Sequence, residues 1–407
     1  MDYFRDNRII NSIVRIKVVG VGGGGNSVLM RLAEERIPGI ELLGVNTDTA
    51  QLSRLQQMGI PTLPIGTTIT RGRGTGGSAK TGAEAAMLDK NVIARELRDV
   101  DLVFITAGLG SGVGTGAAPI VSQIAHNLGI LTIGVVTAPF SFEGKRKMQT
   151  AEAGISQLKA SLDGLIVIHN DNLMKLEGNR RLSLADSFKA ADNVLRHAII
   201  GISELILTPG VVNVDFADVT SIFRQSDSSD AIIGIGTDER GSAVEAVKSA
   251  IASPLIERSL DGARAILINI TGGESMSLVA VSDASQYIYD HTHPNVNIIF
   301  GTVVDKSLGE SIRVTLVATD FADSVAVRSG SSGCFGEAVR EMPAAGAKSE
   351  TGAPEMSNTQ LSKVISGATT AEEAEQEKKG AGGIDVPDFL SRGARKESNF
   401  PQFPWKR

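Results

Sequence analysis

Residues Gly108 to Gly116 read Gly-Leu-Gly-Ser-Gly-Val-Gly-Thr-Gly, five glycines alternating with other residues. Ahead of them lies Asp101-Leu-Val-Phe-Ile-Thr106, an apolar, β-prone run of the kind that forms a buried strand. Behind them, after Ala117-Ala118-Pro119, Ile120, Ile124 and Leu128 repeat with helical spacing. The segment is therefore expected to be a strand-to-helix turn. Glycine at 108, 110, 112, 114 and 116 removes Cβ atoms and admits positive φ, so backbone N–H groups can converge on one point. A helix N-terminus adds positive potential there. A phosphate chain is the natural occupant, with Gly108, Gly110, Ser111, Gly112, Val113, Gly114, Thr115 and Gly116 as its cradle.

Two further glycine stretches fall in the same rhythm. Ile13 to Val19 reads as a strand, followed by Gly20-Val-Gly-Gly-Gly-Gly-Asn26 and a helix through Glu35. Residues 72–77, Gly-Arg-Gly-Thr-Gly-Gly, lead into a helix near Ala83–Met87. Further strands are expected at 42–46, 130–136 and 164–168, alternating with helices. That alternation predicts an α/β fold with a doubly wound parallel sheet and its loops gathered at the carboxyl edge. Gly22, Gly23, Gly24, Asn26, Gly76 and Gly77 then join the cradle, and Asp48 of Asn46-Thr47-Asp48 faces the same edge or forms a structural turn. Gly20 to Gly25 also fits a dinucleotide fingerprint, which keeps a Rossmann-type oxidoreductase as an alternative. Against it stand the two other glycine loops and the lack of a proton-transfer histidine. There is no Walker motif.

After residue 182 the period changes. Leu184, Phe188, Ala191, Leu195, Ala198, Ile202 and Leu205 step by three and four, predicting one amphipathic helix about 35 Å long. It stops near Thr208-Pro-Gly210. Residues 219–322 read as a second α+β domain, with strands at 231–235, 265–270, 298–300 and 312–319. The parsing is a nucleotide domain at 10–182, a central helix at 183–207, a second domain at 208–322, a linker at 323–383 and a terminal segment at 384–407. The linker is rich in Ser, Gly, Ala, Glu and Lys, which predicts disorder. Ile384-Asp-Val-Pro-Asp-Phe-Leu390 then forms a compact apolar-acidic cluster, followed by a basic tail.

Formal net charge is −6, which argues against a general nucleic-acid binder. The single cysteine, Cys334, excludes internal disulfides and thiolate zinc clusters, and fits a reducing cytoplasm. The first residues have no apolar core of a signal peptide, and the longest apolar run, about 128–140, is too short to span a bilayer.

Several polar residues are placed to do chemistry. Glu143 can hold ribose hydroxyls and a cation of the run Lys145-Arg146-Lys147 a phosphate; a solvated charged turn is the alternative for both. Phe188 and Asp192 are one helical turn apart, so a ring that stacks on a base neighbours a carboxylate that accepts from guanine N1–H and N2–H₂. Adenine has no such donor pair; Phe188 also fits a purely core role. Asn213, Asp215 and Asp218 bring two carboxylates together after the long helix. Carboxylates repel a triphosphate, so their work would be to orient water or a cation.

These residues resemble the FtsZ/tubulin superfamily of cytoskeletal GTPases, in particular its bacterial cell-division branch. The resemblance covers about residues 10–322 and rests on Thr106–Gly116, Pro139-Phe-Ser-Phe-Glu-Gly144, Asn170-Asp171 and Asn213-Val-Asp-Phe-Ala-Asp218. It extends to Ile384–Leu390, similar to a peptide that docks on membrane tethers and division regulators. It implies a tubulin-like GTPase that binds GTP or GDP with Mg²⁺ and K⁺, and assembles head-to-tail into filaments of a cytoplasmic division ring. It places Asn170 with the nucleotide, Glu143 on ribose, and Phe188 and Asp192 on guanine. Asn213, Asp215 and Asp218 would complete the site of the neighbouring subunit. No protein side chain is implied as a dedicated metal ligand. The pattern departs at Ser111 and Val113, where glycine and threonine are usual, at Lys147 for arginine, at Thr75-Gly-Gly-Ser-Ala79, and at His169 for proline. These departures surround the phosphates and leave a slowly hydrolysing scaffold or regulatory paralogue as the alternative function.

Overall fold

The computed structural model describes residues 14–35, 37–175, 182–208, 210, 212, 214–226 and 228–321. Asn213, the 323–383 linker and the 384–407 segment lie outside the described residues. In chain order the elements are β1 (Ile16–Val21), α1 (Gly22–Glu35), β2 (Ile40–Asn46), α2 (Thr49–Gln57), β3 (Thr62–Pro64), α3 (Thr67–Thr70), α4 (Ala79–Leu88) and α5 (Lys90–Glu96). Then come β4 (Leu102–Gly108), α6 (Gly112–Asn127), β5 (Leu131–Ala138), α7 (Lys145–Lys159), β6 (Gly164–His169), α8 (Asn170–Leu173) and α9 (Leu184–Leu207). The last are α10 (Phe216–Arg224), β7 (Asp230–Asp238), α11 (Ala243–Ile251), β8 (Ala263–Gly272), α12 (Leu278–Asp290), β9 (Asn297–Val304) and β10 (Ile312–Phe321).

The strands form one ten-stranded sheet in the order 3-2-1-4-5-6-7-10-8-9. The first six are all parallel. Their order reverses between β1 and β4, which makes the crevice beyond the carboxyl ends of those two strands a topological switch point. β6 meets β7 over only two residue pairs, Leu165 with Asp230 and Ile166 with Ala231. Beyond that seam the sheet turns mixed: β10 runs antiparallel to β7 and β8, and β8 runs parallel to β9.

Parallel strands covered on both faces must be apolar on both, and the side chains alternate accordingly. Val18, Phe104 and Ile133 enter a core shared with α1 and α9, while Val19, Ile105 and Val136 enter a second core against α4 and α6. Helix α9 contributes Leu195, Ala198, Ile202 and Leu205 to the first core, which also holds Leu267 and Val317 of the second half. The predicted apolar stripe therefore spans both halves. Its first two members do not: Leu184 and Phe188 are exposed, the latter by 40%.

The glycine loop differs from its sequence reading. Helix α6 begins at Gly112 and runs through Pro119, so Gly112, Gly114 and Gly116 have helical backbone, and only Gly110 of the five has positive φ, at 85°. The others serve close approach. A Cβ on Gly116 would sit 1.9 Å from the Ala79 carbonyl oxygen of α4, and one on Gly114 would sit 2.4 Å from the Gly108 oxygen. Gly116→Ala should thus force α4 and α6 apart and cost about 1–3 kcal/mol, read as a lower urea midpoint with an unchanged slope. A midpoint unaltered by the substitution would contradict this packing.

Candidate functional site

A cavity of about 420 Å³ opens at the switch point, a size suited to a nucleotide. Three loops wall it: Gly23 and Gly24 after β1, Gly74 to Gly77 before α4, and Gly108 to Val113 after β4. The first and third loops pack backbone to backbone, since a Cβ on Gly24 would lie 3.0 Å from the Gly108 Cα. Gly76 and Gly77 take φ of 61° and 82°, and a Cβ on either would meet nothing within 4 Å. Ser111 is the N-cap of α6, yet its hydroxyl donates to the Gly108 carbonyl at 2.8 Å rather than capping the helix. No side chain therefore caps the first turn of α6, where a helix presents unpaired N–H groups and positive potential.

The sequence-predicted residues Asp48, Glu143, Lys147, Asn170, Phe188 and Asp192 also line this cavity. Gly22, Gly114, Thr115 and Gly116 do not; they hold the loops in place. Thr115 Oγ1 accepts from the Gly110 N–H at 2.8 Å, bracing the turn from behind. Val113 lines the cavity but is mostly buried among apolar neighbours. Asp48 serves two ends: it borders the cavity and its carboxylate caps α2, accepting from Ala50 N and Gln51 N. Glu143 accepts from Phe140 N at 3.0 Å and pairs with Lys147 Nζ at 2.9 Å. The two charges expected on ribose and phosphate are thus joined at the rim. Phe188 stands at right angles to Phe140, at 5.3 Å between centroids, and is 40% exposed.

Two buried amides at or beside the cavity are incompletely satisfied. Asn170 is 4% exposed and its Oδ1 has no partner. Asn26 is 3% exposed and neither its Oδ1 nor its Nδ2 has one. Asn26 lines an adjoining cavity of about 430 Å³ that shares Gly23, Asp48 and Gln51 with the first. Buried amides left unpaired are costly, so a polar ligand is what such groups fit. Burial pushes the Asp192 carboxyl up to about 6, while the Arg31 guanidinium, with Nε 3.3 Å from Oδ2, pulls it down.

Over residues 15–178 the sequence matches the model of the tubulin/FtsZ family GTPase domain, and over 229–322 that of the FtsZ family C-terminal domain. The chain belongs to the tubulin/FtsZ family. The fold is similar to that of an empty FtsZ dimer from M. jannaschii, at 40% identity and a TM-score of 0.72, over 76% of this chain and 89% of that one. A GTPγS-bound protofilament of CetZ2 from Haloferax volcanii shares the fold at 18% identity, with a TM-score of 0.63 over 77% and 95% of the two chains. As the GTPase domain of a tubulin/FtsZ protein, residues 15–178 are a guanine-nucleotide domain, which the matching architecture supports and an oxidoreductase reading does not.

Asp215 and Asp218 are not brought to the cavity. They lie beyond the far end of α9, Asp215 at the N-cap of α10 and Asp218 in its first turn. Both are exposed, with no ion pair among the described residues. Their segment is pinned to β9 through Val212 N, which donates to Thr302 Oγ1 at 3.0 Å. Sequence reasoning missed Arg31, whose partner Asp192 is 161 residues away, and the cavity-lining Asn46, Gln51 and Thr137. Asn46 carried a visible signal: it ends a strand, and its Oδ1 accepts from the N–H groups of Thr47 and Asp48. Among the described residues no group of acidic, His or Cys side chains forms a metal cage, and no helix is long and apolar enough to cross a membrane.

Proposed function

We propose that this chain binds and hydrolyses GTP and polymerises head-to-tail into filaments of a bacterial division ring. What supports this most is the separation of two incomplete half-sites: the cavity with Asp192 and the unpartnered Asn170 Oδ1, adjoined by the unpartnered Asn26, towards one end of α9, and the unpaired Asp215 and Asp218 beyond the other. Guanine lies on the face of Phe188, with its N1–H and N2–H₂ donating to Asp192. Asn26 and Asn170 satisfy the remaining base and ribose groups. The phosphates rest on the first turn of α6 and on Gly76 and Gly77, with Glu143 and Lys147 at the rim. Mg²⁺ would be held by phosphate oxygens and water, as that ion prefers, and would neutralise charge developing on the phosphates, with K⁺ as a further counter-ion. The Asn213–Asp218 segment of the next subunit orients the attacking water. GTP, but not ATP, should then produce both light scattering and phosphate release; scattering or release with ATP alone would overturn the proposal.

Slow turnover with intact assembly is a second reading, favoured by the Glu143–Lys147 pair and by a buried Val113 without a hydroxyl to offer phosphate. Strong scattering with little phosphate release would select it.

Residues 384–390 would dock on a membrane tether or division regulator, the basic residues after them adding attraction to acidic surfaces. Placement at the cytoplasmic mid-cell ring would then rest on that peptide. Deleting 384–407 should abolish recruitment to tether-bearing vesicles while filament assembly persists, as checked by co-flotation and light scattering. Loss of assembly together with recruitment would refute the division of labour.

A further inference from the structure

Helix α8 is a single turn, yet it presents Asn170 to the nucleotide cavity. One turn has almost no stability of its own, so its position depends on what holds it. On its apolar side Leu173 is buried in the core shared with α9. On its polar side the partner is Glu257, between α11 and β8 in the second half of the chain. One carboxylate oxygen of Glu257 accepts from Asn172 Nδ2, and the other lies 3.7 Å from His169 Nε2. His169 is the N-cap of α8 and Asn172 its third residue, so the carboxylate grips both sides of Asn170. Lys175 Nζ completes the grip, donating to Asn172 Oδ1 at 2.6 Å. Asn172 is buried, which makes its pairing with Glu257 more than a solvated surface contact.

The neighbouring charges are occupied elsewhere. Lys159 pairs with Asp230 at 2.6 Å, and Arg258 reaches Asp230 at 3.6 Å and the Phe321 ring. Glu257 thus joins the second half of the chain to α8. His169, where the resemblance leads one to expect proline, supplies a contact that proline lacks, since it has no side-chain nitrogen.

We infer that Glu257 is a positioning residue for nucleotide recognition: it holds α8 so that the unpartnered Asn170 Oδ1 meets the ligand, and so makes nucleotide affinity depend on the seating of the second half of the chain. This rests on the cavity being the guanine-nucleotide site. A double-mutant cycle on the full chain tests it, with GDP affinity measured by calorimetry. Glu257→Ala should weaken GDP about fivefold, the size of one lost hydrogen bond. Asn170→Ala should weaken it at least as much. The double variant should bind like Asn170→Ala alone, because Glu257 acts only through Asn170. Glu257→Gln keeps an acceptor for Asn172 and should recover most of the loss. Should Glu257→Ala not fold, Asn172→Ser enters the same cycle in its place, with the same non-additivity expected. An undiminished affinity in Glu257→Ala, or a full fivefold loss added on top of Asn170→Ala, would overturn the positioning role while leaving the nucleotide site standing. Failure of the unaltered chain to bind GDP would overturn the site and the positioning role together.

Discussion

Asp215→Ala and Asp218→Ala should each bind GTP almost normally and assemble, yet lose at least about a hundredfold in turnover, the scale of a missing general base. The expectation follows from one length. Asp192 and Thr208 are sixteen residues apart on a helix that rises 1.5 Å per residue, so the end of α9 is about 24 Å from the residue assigned to the base. Neither carboxylate lines the cavity, and the segment that carries them is bonded to β9 rather than folded back along α9. Within one subunit they cannot order a water on a bound phosphate. A second copy, stacked head-to-tail, can supply them, and heterologous contacts of that type generate open filaments. Mixed with unaltered protein, either variant should lower activity by more than dilution does, because each altered segment disables a neighbour's site. Strict proportionality to the unaltered fraction, or loss of GTP binding in the variants, would instead mark the two aspartates as acting in cis or as structural.

Asp192→Ala should narrow the preference for GTP over ATP by roughly 1–3 kcal/mol, or about five- to 150-fold, since the partly buried carboxylate proposed to accept two guanine donors cannot be replaced by water at no cost. The same residue predicts a pH dependence. Guanine needs the ionised carboxylate, and burial raises the Asp192 carboxyl to about 6 despite Arg31. Below pH 6 the nucleotide must displace a proton, so GDP affinity should fall about tenfold per unit. Asp192→Asn should lose that slope. On the free fold the sign is reversed. The contribution of Asp192 to stability is full below its unfolded value near 3.8 and is lost as pH rises through about 6. A flat affinity profile between pH 7 and pH 5 would show that the base does not meet this carboxylate.

Much of this was legible because it is written in local pattern. The strand at 102–108, the glycine loop after it and the long stripe of α9 each follow from spacings within one segment, and together they give the doubly wound half and the central helix. What escaped depends on distant packing. The sequence places the start of α6 after Pro119; the helix starts at Gly112, because Gly114 and Gly116 fit against the Gly108 and Ala79 carbonyls, and no local preference reports that. The short helices α8 and α10 are too brief to show a period. The junction of β6 with β7, which fuses the two predicted domains into one sheet, rests on two residue pairs. At the site, Phe188 reads equally as core or as ligand platform from its spacing, and its exposure argues against a purely core role. Arg31 carried no signal at all, since only the fold brings it to Asp192.

Turnover per subunit as a function of protein concentration tests the proposed sharing of the active site most directly. With the base pocket on one subunit and Asp215 and Asp218 on the next, phosphate release per subunit should be near zero in dilute solution. It should rise steeply over a narrow range as filaments form, and then level off. A rate per subunit that stays constant across roughly a hundredfold change in concentration, wide enough to shift any association equilibrium by mass action, would show that one chain hydrolyses GTP alone.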